Sequence, residues 1–236
     1  MQIAGLQKFT MVDFPGTIAA TVFTRGCSFR CPFCHNPELV IPSKFIPLMD
    51  EQEILKFFEK RFGKLEGVCI TGGEPTLQTD LFEFIKKLKT IGYKIKLDTN
   101  GWNPKMLKSI IDSAKIDYIA MDIKSSPEKY QATTALSFPR RRESSVLVSN
   151  IKKSISLIMN SGIDYEFRTT VCHPIHEVAD FEEIGKLIKG AKRYFIQNFV
   201  QSKHNDEKIK FTPFTDEELN LSKKIIQKYI KNAELR

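Results

Sequence analysis

The chain has 236 residues, 42% of them hydrophobic, and 36 basic against 28 acidic side chains leave a formal charge of +8 at pH 7. No apolar run is long enough to cross a membrane, and a chain this apolar, with 18 Phe, does not have the composition of a disordered one. The length suits one large domain, and the positive excess fits either a solvated lysine-rich surface or attraction to an acidic protein or a nucleotide-bearing partner.

Two hydrophobic periods alternate along the chain. β-rich runs at residues 18–23, 68–71, 93–97, 117–123, 165–171 and 194–199 predict six strands. Helix-period stripes lie between them: Ile54, Leu55, Phe58 and Phe62; Leu81, Ile85 and Leu88; Met106, Leu107, Ile110 and Ala114. Two more run through Ile151, Ile155 and Ile158 and through Val178, Phe181, Ile184 and Ile188. Asp50, Asp80 and Asn103 before Pro104 stand where helix starts are expected. Residues 215–231, with Leu219, Ile226 and Ile230, predict a final helix. Strand–helix units in series point to a parallel α/β architecture in a single domain, residues 1–236. Residues 137–148 break the pattern between the fourth strand and its helix, with a Pro, the consecutive Arg140, Arg141 and Arg142, and no periodicity up to Ser145. This stretch reads as an exposed loop or insertion, with a basic docking patch as the alternative.

Cys27, Cys31 and Cys34 follow the first predicted strand with the spacing C-x3-C-x2-C. A cubane [4Fe–4S] cluster takes one thiolate per iron, so three thiolates hold three corners and leave the fourth iron open to a small molecule. Cys31 to His35 also spells the c-type haem pattern C-x-x-C-H. That reading ignores Cys27 and needs export, for which residues 1–5 offer neither a basic nor an apolar leader region. A Cys3His zinc site is chemically allowed, although Cys34 and His35 are adjacent where zinc pairs are normally spaced apart. Five cysteines, an odd count, and no export signal speak against disulfides. Cys69 and Cys172 lie in strand contexts and read as small buried residues.

Polar motifs close the following strands in turn. Gly72, Gly73 and Glu74 precede Pro75 after the second, Asp98 and Asn100 end the third, Asp122 and Lys124 close the fourth, and Arg168 lies within the fifth. In parallel β/α folds the carboxyl ends of the strands share one face, and that face holds the active site. The glycines would let a ligand approach the main chain, and Glu74 would accept from an ammonium group, but an ordinary strand-to-helix turn explains both as well. Asp98 and Asn100 suit ribose hydroxyls or a plain turn, and Lys124 suits a carboxylate or a surface pair with Asp122. A charge such as Arg168 inside a strand made for burial needs a partner.

Taken with the cysteine triplet, these motifs resemble those of the radical S-adenosylmethionine enzymes, with Phe33 as the aromatic before the last cysteine. The likeness extends through residues 5–8, 12–16, 35–39, 72–75, 96–101, 117–124 and 166–170, and is most similar to the activating proteins of anaerobic ribonucleoside-triphosphate reductase. The resemblance implies a partial (β/α)6 barrel with a C-terminal helix. It implies a [4Fe–4S] cluster on the three cysteines, with S-adenosylmethionine chelating the open iron. Backbone near Phe33 and His35 would flank the adenine, Gly72, Gly73 and Glu74 would receive the amino group, Asp98 and Asn100 the ribose, and Lys124 the carboxylate. A monovalent cation is implied near Asp98 and Asp122, which gives those two carboxylates an alternative role. Reductive cleavage to a 5′-deoxyadenosyl radical would then generate a glycyl radical on the reductase, with Lys124 and Arg168 counted in the catalytic set. The implied electron donor is a flavodoxin or ferredoxin, in the cytoplasm, with no membrane and no nucleic-acid partner. Ser28 departs from the Asn of many relatives, and the lack of a second cysteine set disfavours auxiliary clusters. The alternatives are a radical enzyme acting on a small molecule, such as one building a deazapurine, and a non-catalytic iron–sulfur electron carrier.

Overall fold

The computed structural model describes residues 1–113, 115–134, 141–201 and 209–236, with the backbone alone for 141–144. The chain packs as two compact units, the first made of residues 1–28, 36–99 and 103–119, the second of 29–35, 100–102 and 120–236.

The first unit holds β1 (Ile3–Thr10), β2 (Ala19–Thr24), α1 (Pro37–Val40), α2 (Glu51–Arg61), β3 (Gly67–Gly72), α3 (Leu81–Ile91), β4 (Lys94–Thr99) and α4 (Pro104–Asp112). β2, β3 and β4 are parallel, and β1 lies antiparallel on β2. Ala19, Ala20 and Val22 on β2 and Val68, Cys69 and Ile70 on β3 are all fully buried, the continuous burial of strands covered on both faces. Helix starts are set by short polar side chains. Asp50 accepts from the Gln52 N–H at 2.8 Å, and Asn103 accepts from the Met106 N–H at 3.1 Å. Asp80 makes no such cap; it pairs with the Met1 ammonium instead.

β5 (Tyr118–Asp122) begins in the first unit and ends in the second. The second unit continues with α5 (Tyr130–Thr134), α6 (Arg141–Met159), β6 (Asp164–Val171), α7 (Asp180–Leu187), β7 (Tyr194–Asn198), α8 (Asp216–Ile226) and β8 (Ala233–Leu235). β6, β7 and β8 are parallel, and the strand order in the sheet follows the chain from β1 to β8. The result is an α/β fold on an open, mostly parallel sheet. No helix among the described residues is long and apolar enough to cross a membrane.

The six expected strands are β2 to β7, and two more flank them. β1 buries Ile3 and Ala4 and then exposes residues 7–9, so its edge position leaves no clean alternation to read. β8 is three residues long, and the expected final helix stops at Ile226 to make room for it. Phe62, placed on the buried stripe of α2, follows that helix and is 58% exposed. Ala114 lies outside the described residues, as do residues 137–140. The chain is helical from Arg141, inside the stretch expected as a loop or insertion, so a loop extends no further than residue 140.

α8 opens with a reciprocal cap: the Glu218 N–H donates to Thr215 Oγ1 at 3.2 Å, and the Thr215 N–H donates to Glu218 Oε2 at 2.8 Å. Thr215→Ala is expected to destabilise the fold by about 1 kcal/mol in urea unfolding.

Candidate functional site

In the first unit the site begins where β2 and β3 end side by side, with Thr24 opposite Gly72. The chain turns at Gly26 (φ 98°), one residue before Cys27. The Gly26 carbonyl accepts the Glu74 N–H at 2.7 Å, and the Gly73 N–H donates to the Thr24 carbonyl at 2.8 Å. A Cβ on Gly73 would stand 2.0 Å from the Gly26 carbonyl oxygen, and one on Gly72 (φ 114°) would stand 2.3 Å from the Thr24 nitrogen. The missing side chains are thus required by the backbone that leads into the cysteine loop. That is a different reason from the ligand approach expected of a Gly-Gly pair.

Glu74 is 1% exposed. Its Oε1 accepts from the Thr76 N–H at 3.1 Å, from Thr76 Oγ1 at 2.5 Å and from Thr99 Oγ1 at 2.7 Å. It therefore caps the short turn Pro75–Leu77 and ties the end of β3 to the end of β4. Asp98 is ion-paired to Lys96, two residues earlier on the same strand face. Lys96 is only 1% exposed, and its Nζ lies 3.8 Å from Cys69 Sγ, its register partner on β3. A lysine in alternation with Lys94 reads as a solvent-facing residue, so Lys96 was not found in the sequence. The signal available was its spacing of two from Asp98.

In the second unit the Cys34 N–H donates to the Cys31 carbonyl at 3.0 Å, closing a tight turn. Cys31 and Cys34 here, and Cys27 in the first unit, are each partly buried. Burial pushes the Cys31 thiol up to about 11, opposed by the positive charge of Lys124. Phe33 packs in an apolar cluster with Cys172, Phe199 and Phe211, and the His35 ring lies 5.6 Å from that of Phe199. Burial and then the Lys124 charge hold the His35 imidazole below its ordinary value. Asn100 accepts the Trp102 N–H at 3.0 Å, so its side chain shapes its own turn.

Asp122 carries two cations. Lys124 Nζ reaches its Oδ2 at 2.9 Å, and Arg168 Nε reaches its Oδ1 at 2.9 Å. Burial alone would raise this carboxyl, but the Arg168 and Lys124 charges outweigh it and hold it well below the usual carboxylate range. Arg168 has therefore found the partner that its place in a strand required. Lys124 is fixed by its main chain as well, its N–H donating to Tyr130 Oη at 3.2 Å. His176, which sequence reasoning missed, holds the other side. Its Nδ1 accepts the Cys172 N–H at 3.2 Å, which leaves Nε2 to donate to the Lys124 carbonyl at 2.8 Å. Its ring meets Phe33 edge-on at 5.7 Å. A lone histidine after a strand gave no pattern to read.

Three thiols with one open corner suit a [4Fe–4S] cluster, and the Lys124 ammonium favours the thiolate form of Cys31 that ligation needs. Among the described residues no three His, Cys, Asp or Glu side chains are gathered as a metal-ion site, so the fit rests on the donor set and its spacing. A monovalent cation suits the residues poorly. Asp98 is matched by Lys96 within the first unit, and Asp122 by Lys124 and Arg168 within the second.

Gly73→Ala is expected to cost roughly 1–3 kcal/mol in urea unfolding, because the new methyl must displace the Gly26 carbonyl. His176 gives a pH dependence. Burial holds its imidazole below the ordinary 6.5, so the unfolded chain takes up the proton first. Its contribution is complete above pH 6.5 and is lost as pH falls from there through the depressed folded value. The urea midpoint should be lower at about pH 5 than at about pH 7.5, and His176→Gln should flatten that difference.

The model of the Radical SAM superfamily matches residues 21–188. A Methanocaldococcus jannaschii protein provisionally named a glycyl-radical enzyme activating enzyme is 33% identical over 99% of this chain and 95% of its own length. The pyruvate formate-lyase-activating enzyme of Listeria monocytogenes is 32% identical over 58% of this chain and 58% of its own. Among solved structures, Streptococcus suis SuiB bound to S-adenosylmethionine superposes with a TM-score of 0.66 at 12% identity, over 89% of this chain and 48% of SuiB. This chain thus spans about half of SuiB, and that likeness speaks for the fold. The family carries a [4Fe–4S] cluster and S-adenosylmethionine, and its fold matches the open α/β sheet described above. The chain is an enzyme that belongs to the radical S-adenosylmethionine superfamily.

Proposed function

We propose that this enzyme activates a glycyl-radical enzyme, and that its target is an anaerobic ribonucleoside-triphosphate reductase. The observation that carries the activase reading is the likeness to the Methanocaldococcus jannaschii relative, which runs nearly end to end in both chains. The reductase is favoured by the motifs at residues 12–16, 96–101 and 117–124. Pyruvate formate-lyase is the second reading, favoured by the names of several partial relatives.

In this reading Cys27, Cys31 and Cys34 hold the cluster. S-adenosylmethionine is met by Gly72, Gly73 and Glu74 at its amino group, by Asp98 and Asn100 at the ribose, by Lys124 at the carboxylate, and by backbone near Phe33 and His35 at the adenine. The chemistry supplied by that pair once bound is one-electron reductive cleavage of the sulfonium C–S bond. The part of Lys124 is to exchange one carboxylate for another. As its ammonium turns from Asp122 to the methionyl carboxylate, Arg168 stays on Asp122 and keeps it ionised. In this reading Arg168, counted in the catalytic set, acts through its hold on Asp122. Oε1 of Glu74 is already used by Thr76 and Thr99, so its part is to hold the main chain of residues 72–74 in place for the amino group. The electron donor is a flavodoxin or ferredoxin, whose acidic surface the +8 charge would attract.

Mixing reduced, reconstituted enzyme with S-adenosylmethionine and a cognate anaerobic reductase should yield a glycyl-type doublet by electron paramagnetic resonance. Cys27→Ala, Cys31→Ala and Cys34→Ala should each abolish the signal, whereas Cys69→Ala and Cys172→Ala should retain it. A doublet on pyruvate formate-lyase and none on the reductase would move the target to the second reading. Deoxyadenosine formation stimulated only by a purine precursor would remove the activase reading.

A further inference from the structure

We propose that Lys96 is a built-in counter-cation for Asp98, and that the S-adenosylmethionine site of this enzyme takes no monovalent metal ion. The second half rests on the reading above that Asp98 lies at the cofactor. The first half rests on the fold alone.

A lysine ammonium that is 1% exposed has left water and must find an opposite charge inside the protein. The partner is the Asp98 carboxylate, two residues along β4 and on the same strand face. The other neighbours of Nζ are the Cys69 sulfur at 3.8 Å and the Tyr118 ring, whose centroid is 6.0 Å away. Neither replaces a carboxylate, so Asp98 is the counter-charge that faces Lys96. The same pairing neutralises Asp98. A metal ion of charge +1 would have to displace an ammonium of equal charge that is tethered by its own side chain and already in place.

Asp122 leads to the same conclusion from within its own unit. Two cations, Lys124 and Arg168, face that single carboxylate at 2.9 Å each. If Lys124 turns to the cofactor, Arg168 still balances Asp122. Neither carboxylate is left with the uncompensated negative charge that draws a metal cation.

Two measurements decide the matter. In the first, wild-type holoenzyme is titrated with S-adenosylmethionine by calorimetry in potassium chloride and in tetramethylammonium chloride, each at about 0.1 M so that screening is equal. The two affinities should agree within about twofold, since no ion is being bound, and a tenfold loss without potassium, on the scale of 1.4 kcal/mol, overturns the proposal. Absence of binding in both salts would instead remove the assignment of the cofactor site. The second measurement is thermal unfolding of the cluster-free protein in the same two salts and in ammonium chloride, which needs no cofactor. Wild type should unfold at one temperature in all three. Lys96→Ala should unfold several degrees lower in tetramethylammonium, because Asp98 loses the ammonium that faces it, and should recover part of that loss in ammonium or potassium. The double variant Lys96→Ala/Asp98→Asn should lose that ion preference and unfold above the single variant. Equal stability of Lys96→Ala and wild type, or a double variant no better than a single variant that fails to fold, overturns the pairing.

Discussion

Three strands of this fold carry ionised side chains where parallel strands ordinarily carry Val, Ile and Leu, and each charge is met by an opposite one. Lys96 and Asp98 pair along β4, Asp122 on β5 is held by Lys124 and Arg168, and the buried Glu166 on β6 is reached by Arg236 at 3.1 Å. Breaking such a pair strands a charge in a poorly solvated place at a cost of about 3–5 kcal/mol, whereas the intact pair adds little to stability. These pairs are therefore better understood as holding polar groups ready at the strand ends than as holding the fold together. The fold is held by the apolar packing of strands such as β2 and β3.

A second constraint acts at the level of the main chain. The cysteine loop is seated by hydrogen bonds between backbone atoms of Thr24, Gly26, Gly73 and Glu74, and the close approach of these strands leaves no room for a Cβ on Gly72 or Gly73. The loop's location comes from two residues, Gly72 and Gly73, that have no side chains. Glu74 completes the arrangement by binding the turn that follows.

What could be read in the sequence follows from these physical differences. β2 to β7 are legible because buried parallel strands are written as compact β-rich runs. β1 is an edge strand with a mixed pattern, and β8 is too short to show a period, so both were invisible. Among site residues, the cysteines were legible by spacing, and the motifs around Gly72, Asp98 and Asp122 by their positions after strands. Lys96 and His176 were not, because burial of a lysine and the tautomer of a lone histidine are decided by neighbours distant in sequence. Glu74 was read both as an acceptor for a ligand and as part of an ordinary strand-to-helix turn, and the structure shows it capping that turn.

The main chain of Lys124 is gripped on both sides, by Tyr130 at its N–H and by His176 at its carbonyl, while its ammonium rests on Asp122 through a flexible stem. Backbone and side chain therefore belong to different clocks. A loop that must open moves in nanoseconds to microseconds or longer, whereas a side chain turning about its own bonds needs only picoseconds to nanoseconds. Handing Lys124 from Asp122 to an incoming carboxylate is of the second kind. In the proposed cofactor site, this contact would be made as fast as the ligand arrives, and arrival would set its tempo.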